Sequence, residues 1–348
     1  MKVYCGVDFH ARQQTVSYMN TADGEIRRIK LDHRNDDVGG FYQGLHGEVI
    51  VGLEASGYST WFEQMLEGLG YEAWIGDASE IRRLARRRQK NDDRDADHIL
   101  DLMVRGDFPR VHRPSKHSLD VLRQLRYRHK LVRMRTMVAN SLNAIAISSG
   151  LSQAKRLKTK EGRRMLEAIE LSPVMAEQRT KWLEMMDTLS EKIEAAEKWL
   201  KEQAAGNEVV ERLQTHPGIG LLSSLGLVHT LEPIDRFSTS RKVVAYVGLD
   251  PMEYSSADKK RYGSVSKAGS KLVRFLLVEA GQTAARKDPQ LRSFYQRVSK
   301  RRDKRRAKVA VARKLAVRCF ILMRDRIDYQ EFIRRGVEAR SSRVVHRP

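Results

Sequence analysis

The sequence predicts a mixed α/β domain followed by a mainly helical remainder. Three observations support this prediction: short alternating apolar segments near the N-terminus, long helical periodicity after about residue 117, and further apolar helical segments beyond Gly206. We therefore divide the chain into an α/β domain at 1–110, a helical coiled-coil section at 111–206, a C-terminal domain at 207–335 and a basic tail at 336–348.

The first domain begins with three strand-like segments. KVYCGVD alternates around Val3, Cys5 and Val7, and TVSYMN and EIRRIKL form a predicted hairpin through TADG. Four more elements follow: a short helix in DDVGGFYQGLHG, a buried strand EVIVGLEASG ending at Glu54, a helix at about 60–69 and a strand YEAWIG. Hairpin strands followed by alternating helix and strand are typical of a mixed sheet.

The middle section has the apolar spacing of packed helices. One set of apolar residues recurs every three or four positions: Leu131, Met134, Val138, Leu142 and Ile145. A second set steps 4-3-4-3-4, which is a heptad seam: Trp182, Met186, Leu189, Ile193, Ala196 and Leu200. We predict a helical hairpin joined by the basic segment SSGLSQAKRLKTKEG. Use of the same seam between two copies of the chain remains open.

The third section contains a turn, a loop-like stretch and basic helices. HPGIG lies between apolar helical flanks, residues 242–269 are loop-like, and the chain is helical again from KLVRFLL onward. Residues 300–314 carry nine Lys or Arg in fifteen positions and predict an amphipathic helix with one face on RNA or DNA. Ordinary solvated charge is the alternative.

The charge balance predicts a polyanionic partner. The chain has 65 Lys and Arg against 44 Asp and Glu, a net charge of +21, which is most often associated with nucleic acid. A merely cationic surface is the alternative. Cys5 and Cys319 have no metal-binding spacing and indicate a reducing compartment. Without a long apolar span or a signal-peptide core, we expect a cytoplasmic protein without membrane contact.

Carboxylates at strand ends and at a helix start predict a metal site. Asp8 and Glu54 each end an apolar strand, where a carboxylate is costly to bury unless it is paired or metal-bound. A helix that begins near residue 92 would place Asp92 and Asp95 on one face and Asp93 and Asp97 on a neighbouring one. Asp8, Glu54 and a pair from this cluster would bind Mg²⁺ or Mn²⁺. Helix capping and dipole stabilisation would equally explain acids at a helix start.

Three of these segments resemble a known family. GVDFH, GLEASG and KNDDRDAD are similar, in order and separation, to the amino-terminal part of the DEDD-type bacterial insertion-sequence transposases. The resemblance implies an RNase H-like (RuvC-like) domain whose metal ligands are Asp8, Glu54, Asp92 and Asp95. It leaves Asp93 and Asp97 as solvated bystanders. HPGIG, FSTSRKVVAYVGLDPMEYSS and GSVSKAGSKLVRFLL resemble the carboxy-terminal transposase domain of the family.

The resemblance also implies a recombination chemistry. Members of this family are similar to serine recombinases guided by an element-encoded noncoding RNA, the bridge RNA, which pairs with donor and target DNA. The matching serine is Ser256, with Ser255 adjacent, and Ala257 stands where the family usually has glycine. Exchange of four strands implies a homodimer that assembles into a tetramer on DNA, associated with the nucleoid when acting. A metal-dependent endonuclease that acts by hydrolysis, or a non-catalytic RNA- or DNA-binding scaffold, is the alternative.

Basic and glycine residues near these motifs are predicted to contact nucleic acid. The basic residues before the aspartates and around the serine would bind phosphate groups. The glycines would let backbone N–H groups come close to a phosphate. A helical turn or a solvated surface is the alternative at each place. The predicted contact residues are Arg86, Arg87, Lys90, Gly218, Gly220, Lys259, Lys260, Arg261, Lys267, Arg301, Arg302 and Arg305.

Overall fold

The computed structural model describes residues 1–85, 92–150, 159–254 and 262–336, without the side chains of Asp92, Asp93 and Tyr262. The chain forms two compact units, Met1–Arg113 and Pro114–Pro348. Within the described ranges, no helix has the length and apolar character needed to cross a membrane.

The first unit is a five-stranded mixed sheet with helices on it, which confirms the predicted α/β class. The strands lie in the order β3-β2-β1-β4-β5; β1–β2 and β2–β3 are antiparallel, while β1–β4 and β4–β5 are parallel. In chain order the elements are β1 Lys2–Phe9, β2 Gln13–Asn20, β3 Ile26–Asp32, α1 Asp37–Gln43, β4 Glu48–Glu54, α2 Thr60–Gly68, β5 Glu72–Gly76, α3 Ala78–Leu84 and α4 Asp92–Arg105.

Helix α3 was not predicted from the sequence. Its seven residues, ASEIRRL, are too short to show a helical period, and Ile81 is its buried apolar residue. The helix begins at Asp77, whose side chain accepts hydrogen bonds from the backbone N–H groups of Ser79 and Glu80.

The two faces of the sheet are covered in different ways. On one face Val7 and Leu53 join an apolar core with Tyr42 and Phe62 of α1 and α2. On the other face α4 lies directly on the strands at Gly6. A Cβ atom at Gly6 would lie 2.4 Å from the backbone N of Leu100 in α4. This glycine is therefore required by the close approach of helix and sheet.

We expect Gly6→Ala to destabilise the first unit by about 1–3 kcal/mol, because the added methyl group meets helix backbone that cannot rotate away. Urea denaturation measures this loss in the free energy of unfolding. Gly40→Ala is the control: a Cβ there meets nothing within 4 Å and lies in α1, so it is expected to be neutral or stabilising. Equal stability of Gly6→Ala and the unaltered chain would contradict the close approach.

The second unit is helical apart from one small hairpin. Its elements are α5 Lys116–Ser148, α6 Lys160–Glu167, α7 Pro173–Ala204, α8 Glu208–Gln214, α9 Leu221–Leu231, a 3-10 turn Ile234–Arg236, α10 Ser240–Tyr246, β6 Pro251–Glu253, β7 Tyr262–Val265, α11 Lys271–Lys287, α12 Pro289–Arg301 and α13 Lys304–Arg324. Helices α8 to α13 surround one apolar core, to which the first turns of α5 and the last turns of α7 contribute.

Helices α5 and α7 pack against each other along the predicted seam. Leu189 and Ile193 of α7 share a buried cluster with Leu131 and Leu142 of α5. Met134 differs from the prediction, since its side chain is 41% exposed and does not belong to this contact.

Two segments predicted as irregular contain regular structure. The basic connection after α5 includes α6, which buries Leu166. Residues 242–269 were predicted to be loop-like but contain most of α10 and the antiparallel strands β6 and β7. Strands of three and four residues are too short to show an apolar alternation, so no sequence pattern predicted them.

Candidate active site

Asp8 and Glu54 stand at matching positions on neighbouring strands. Parallel strands β1 and β4 pair Gly6 with Gly52 and Val7 with Leu53, so Asp8 and Glu54 occupy the next position of each strand. Side chains alternate between faces along a strand, which places both carboxylates on the face that carries α4. The side chains are 20% and 41% exposed, respectively. Both are therefore accessible from solvent at the carboxyl edge of the sheet.

Each of these carboxylates has a nitrogen donor beside it. His10 Nε2 lies 3.0 Å from Asp8 Oδ2, and Arg82 Nη2 of α3 lies 3.5 Å from Glu54 Oε1. Arg82 was not predicted, although it opens the basic run before the aspartates.

Helix α4 begins at Asp92, as the aspartate cluster predicted. By helical spacing Asp95 shares a stripe with Ile99 and Leu102, which belong to the same apolar cluster as Ile81 of α3. His98 Nε2 also lies 2.9 Å from the Ile81 carbonyl oxygen. The Asp95 stripe therefore faces α3, the helix whose Arg82 reaches Glu54.

Asp97 is not the solvated bystander that the sequence predicted. Its Oδ1 accepts hydrogen bonds from Ser17 Oγ at 2.6 Å and Arg28 Nε at 2.8 Å, and its Oδ2 accepts one from Arg28 Nη2 at 2.8 Å. Burial works against the ionised form, but the bonds from Arg28 and Ser17 prevail and lower the pKa of Asp97. The residue fixes α4 to β2 and β3, a contact between positions far apart in the sequence.

The carboxylates supply the donor type that hard divalent cations prefer. Among the side chains that the structure describes, no three from His, Cys, Asp and Glu are grouped closely enough to hold a metal ion. Asp92, the fourth predicted ligand, has no described side chain. Asp8 and Glu54, in register at one edge, are oxygen donors of the kind that bind Mg²⁺ or Mn²⁺. The donor chemistry fits the predicted cation.

The predicted serine lies between the two strands of the small hairpin. Strands β6 and β7 pair Pro251 with Val265 and Glu253 with Tyr262, and residues 255–261 join them outside the described part of the chain. Lys267 follows β7 in an exposed position with φ of 58°. The predicted site residues outside the described ranges are Arg86, Arg87, Lys90, Ser256, Lys259, Lys260 and Arg261.

The HPGIG turn has a packing role. Gly218 has φ of 99°, and a Cβ there would lie 2.6 Å from the Ala280 carbonyl oxygen in α11. The close contact with α11 accounts for this glycine by itself. Gly220 is exposed immediately before α9. Phosphate contact at these two glycines stays a prediction.

The basic run at 300–314 forms two helices, not the single helix predicted. Helix α12 ends at Arg301, and Asp303 caps α13 by accepting a hydrogen bond from the Arg306 N–H at 2.8 Å. The aspartate inside the basic run was the available signal for this break. Arg301, Arg302 and Arg305 are exposed around the junction.

Comparison with known proteins identifies the family of this chain. A model for IS110-type DEDD transposases matches residues 5–146, and one described as the Transposase IS116/IS110/IS902 family matches residues 210–296. The transposase for insertion sequence element IS1111A of Coxiella burnetii is 28% identical over 76% of this chain and 75% of its own length. That for IS1328 of Yersinia enterocolitica is 29% identical over 67% of this chain and 70% of its own length. The chain belongs to the IS110-type family of DEDD transposases.

Proposed function

We propose that this transposase is an RNA-guided DNA recombinase that joins strands through a phosphoserine intermediate. The first unit would be its RNase H-like (RuvC-like) domain, since the mixed sheet order supports that assignment. The observation that carries the proposal is the in-register placement of Asp8 and Glu54 at one exposed edge. A structural role alone does not require two carboxylates side by side there.

Ser256 would act as the nucleophile in two transesterifications. Its Oγ loses a proton and bonds to the scissile phosphorus, while the bond from phosphorus to one strand oxygen breaks and that strand leaves as a hydroxyl. The hydroxyl of another strand then attacks the phosphoserine, forms the new phosphodiester and returns the serine hydroxyl. Bond energy is conserved, so the exchange needs no nucleotide cofactor. Lys267 and the basic residues at 259–261 would stabilise the phosphate charge.

The acidic edge of the first unit would hold the divalent metal that DEDD-type transposases use. Asp8, Glu54, Asp92 and Asp95 would be its ligands, and the bound cation would neutralise charge on the phosphate. His10 and Arg82 would hold the carboxylates of Asp8 and Glu54 in place before the cation binds.

The partners would be donor DNA, target DNA and a guide RNA encoded by the element. The net charge of +21 supports binding to polyanions of this kind. Because four strands must be broken and rejoined, the active assembly would be a tetramer built from homodimers.

Detection of a protein–DNA adduct tests the nucleophile. We expect the full chain, mixed with the noncoding RNA of the element and both DNAs, to form a denaturant-resistant adduct that mass spectrometry places on Ser256. Ser256→Ala should form neither adduct nor joined product, whereas Ser255→Ala should form both. Joining at the normal rate by Ser256→Ala would refute the phosphoserine step. Nicked product without any adduct would instead favour hydrolysis by a metal-dependent endonuclease.

A further inference from the structure

A cavity of about 630 Å³ lies in the second unit between the β6–β7 hairpin and the first turns of α13. Pro251 of β6 and Val265 of β7 line it on the hairpin side, and Val309 and Ala310 line it on the helix side. Sites for single small ligands commonly enclose about 300–1,000 Å³. The space is therefore of the right size for one nucleotide unit.

The cavity combines an apolar floor with a basic rim. Leu249, Val265 and Val309 supply the apolar surface, and the rim is formed by four arginines: Arg302, Arg305, Arg306 and Arg313. No Asp or Glu is among the described residues that line it.

The positive charge of the rim arginines is largely unbalanced by acidic side chains among the described residues. Arg306 has an ion pair with Asp303 at 3.4 Å. Within the described residues, no carboxylate pairs with Arg302, Arg305 or Arg313, and all three are exposed. Guanidinium groups held together at this density favour a phosphate, which accepts two hydrogen bonds from each planar fork.

We propose that this cavity binds one nucleotide of a single nucleic-acid strand, with its base or sugar on the apolar floor and its phosphates on the arginine rim. A bare phosphate would leave the floor unused, and an apolar ligand would leave the arginines unneutralised. The site deepens the proposed function and rests on it, because the hairpin that forms one wall carries residues 255–261 between its strands.

Equilibrium binding tests the cavity without any chemistry. The probes are fluorescent single-stranded DNA and RNA oligonucleotides of one sequence, and the background is the full-length Ser256→Ala chain. We expect Arg305→Ala and Arg313→Ala each to weaken binding about tenfold. Each should also reduce the slope of log K against log salt by about 0.7, the change for one lost phosphate contact on a single strand.

An uncharged variant tests the apolar floor. Ala310→Leu fills the cavity without altering charge, so we expect weaker binding with an unchanged salt slope. Arg297→Ala is the matched control, an exposed arginine of α12 that does not line the cavity, and it should bind within about twofold of the background. Equal losses for DNA and RNA would identify the shared nucleotide chemistry, and a loss confined to one would identify the strand.

Two results would overturn the cavity site. In one, Arg297→Ala weakens binding as much as the rim variants, which makes binding a property of the whole basic surface. In the other, Ala310→Leu binds normally. Either result leaves the phosphoserine proposal standing if the unaltered chain still forms the Ser256 adduct, so the two failures are distinguishable.

Discussion

Replacing Asp8 with asparagine is expected to lower the rate of DNA strand cleavage about a thousandfold, which corresponds to about 4 kcal/mol of lost transition-state stabilisation. Asparagine has nearly the same shape and keeps an oxygen for His10, whose Nε2 lies 3.0 Å from Asp8 Oδ2. The substitution removes the negative charge that a divalent cation requires. We therefore expect the sheet to remain folded while metal affinity and cleavage fall together.

Two measurements separate this effect from misfolding. Isothermal titration with Mn²⁺ should show weaker binding, and the circular dichroism spectrum should be unchanged. The control is Asp101→Asn on α4, where the carboxylate forms an exposed ion pair with Arg105 at 2.8 Å and has no predicted role in the site. Its cleavage rate should stay near that of the unaltered chain. Cleavage by Asp8→Asn within threefold of normal would exclude Asp8 as a metal ligand.

Replacing Arg318 with methionine is expected to destabilise the second unit by about 3–5 kcal/mol, the usual cost of leaving a buried charge without its partner. Arg318 Nη1 lies 2.5 Å from Asp288 Oδ2, and Asp288 is fully buried. Although burial opposes the charged form, hydrogen bonds from the Tyr329 hydroxyl and the Leu291 N–H and the charge of Arg318 lower the pKa of Asp288. Without the guanidinium this buried carboxylate would have no positive charge beside it.

No side chain around the pair can replace the positive charge that Arg318 places beside Asp288. His216 Nε2 lies 3.3 Å from Arg318 Nη1, and burial lowers the pKa of His216 to about 4, so the ring is neutral at pH 7 and cannot balance Asp288. The Tyr329 hydroxyl, 2.6 Å from Asp288 Oδ2, donates a hydrogen bond but carries no charge.

Hydrogen exchange of the α13 amides measures the loss within the second unit. Arg324→Met, on the same helix, is the control: Arg324 pairs with Asp325 at 2.7 Å but is half exposed, so its loss should cost less than about 1 kcal/mol. Arg318→Met combined with Asp288→Asn should recover part of the stability, since no unpaired charge remains. If the α13 amides exchanged equally fast in Arg318→Met and Arg324→Met, the buried pair would not stabilise this unit.

The parts of the site that depend on a local sequence pattern could be predicted from the sequence. Asp8 and Glu54 lie at the carboxyl ends of strands whose apolar character is clear from the sequence, and Asp92 begins a helix where acids are favoured. The role of Asp97 was missed because its partners, Ser17 and Arg28, lie on strands β2 and β3, far away in the chain. Hydrophobic period and capping are local signals, whereas an ion pair between distant elements leaves no such pattern.

The amino-acid sequence alone determined the α/β class, the heptad contact between α5 and α7, the strand-end carboxylates and the positive charge. Only the tertiary structure decided that Asp8 and Glu54 are in register, that Gly6 admits α4 onto the sheet, and that rim arginines from the α12–α13 junction and from α13 meet the β6–β7 hairpin around one cavity. The physical reason is that periodicity specifies which face of an element is apolar, while strand register and helix contact depend on the packing of residues distant in sequence.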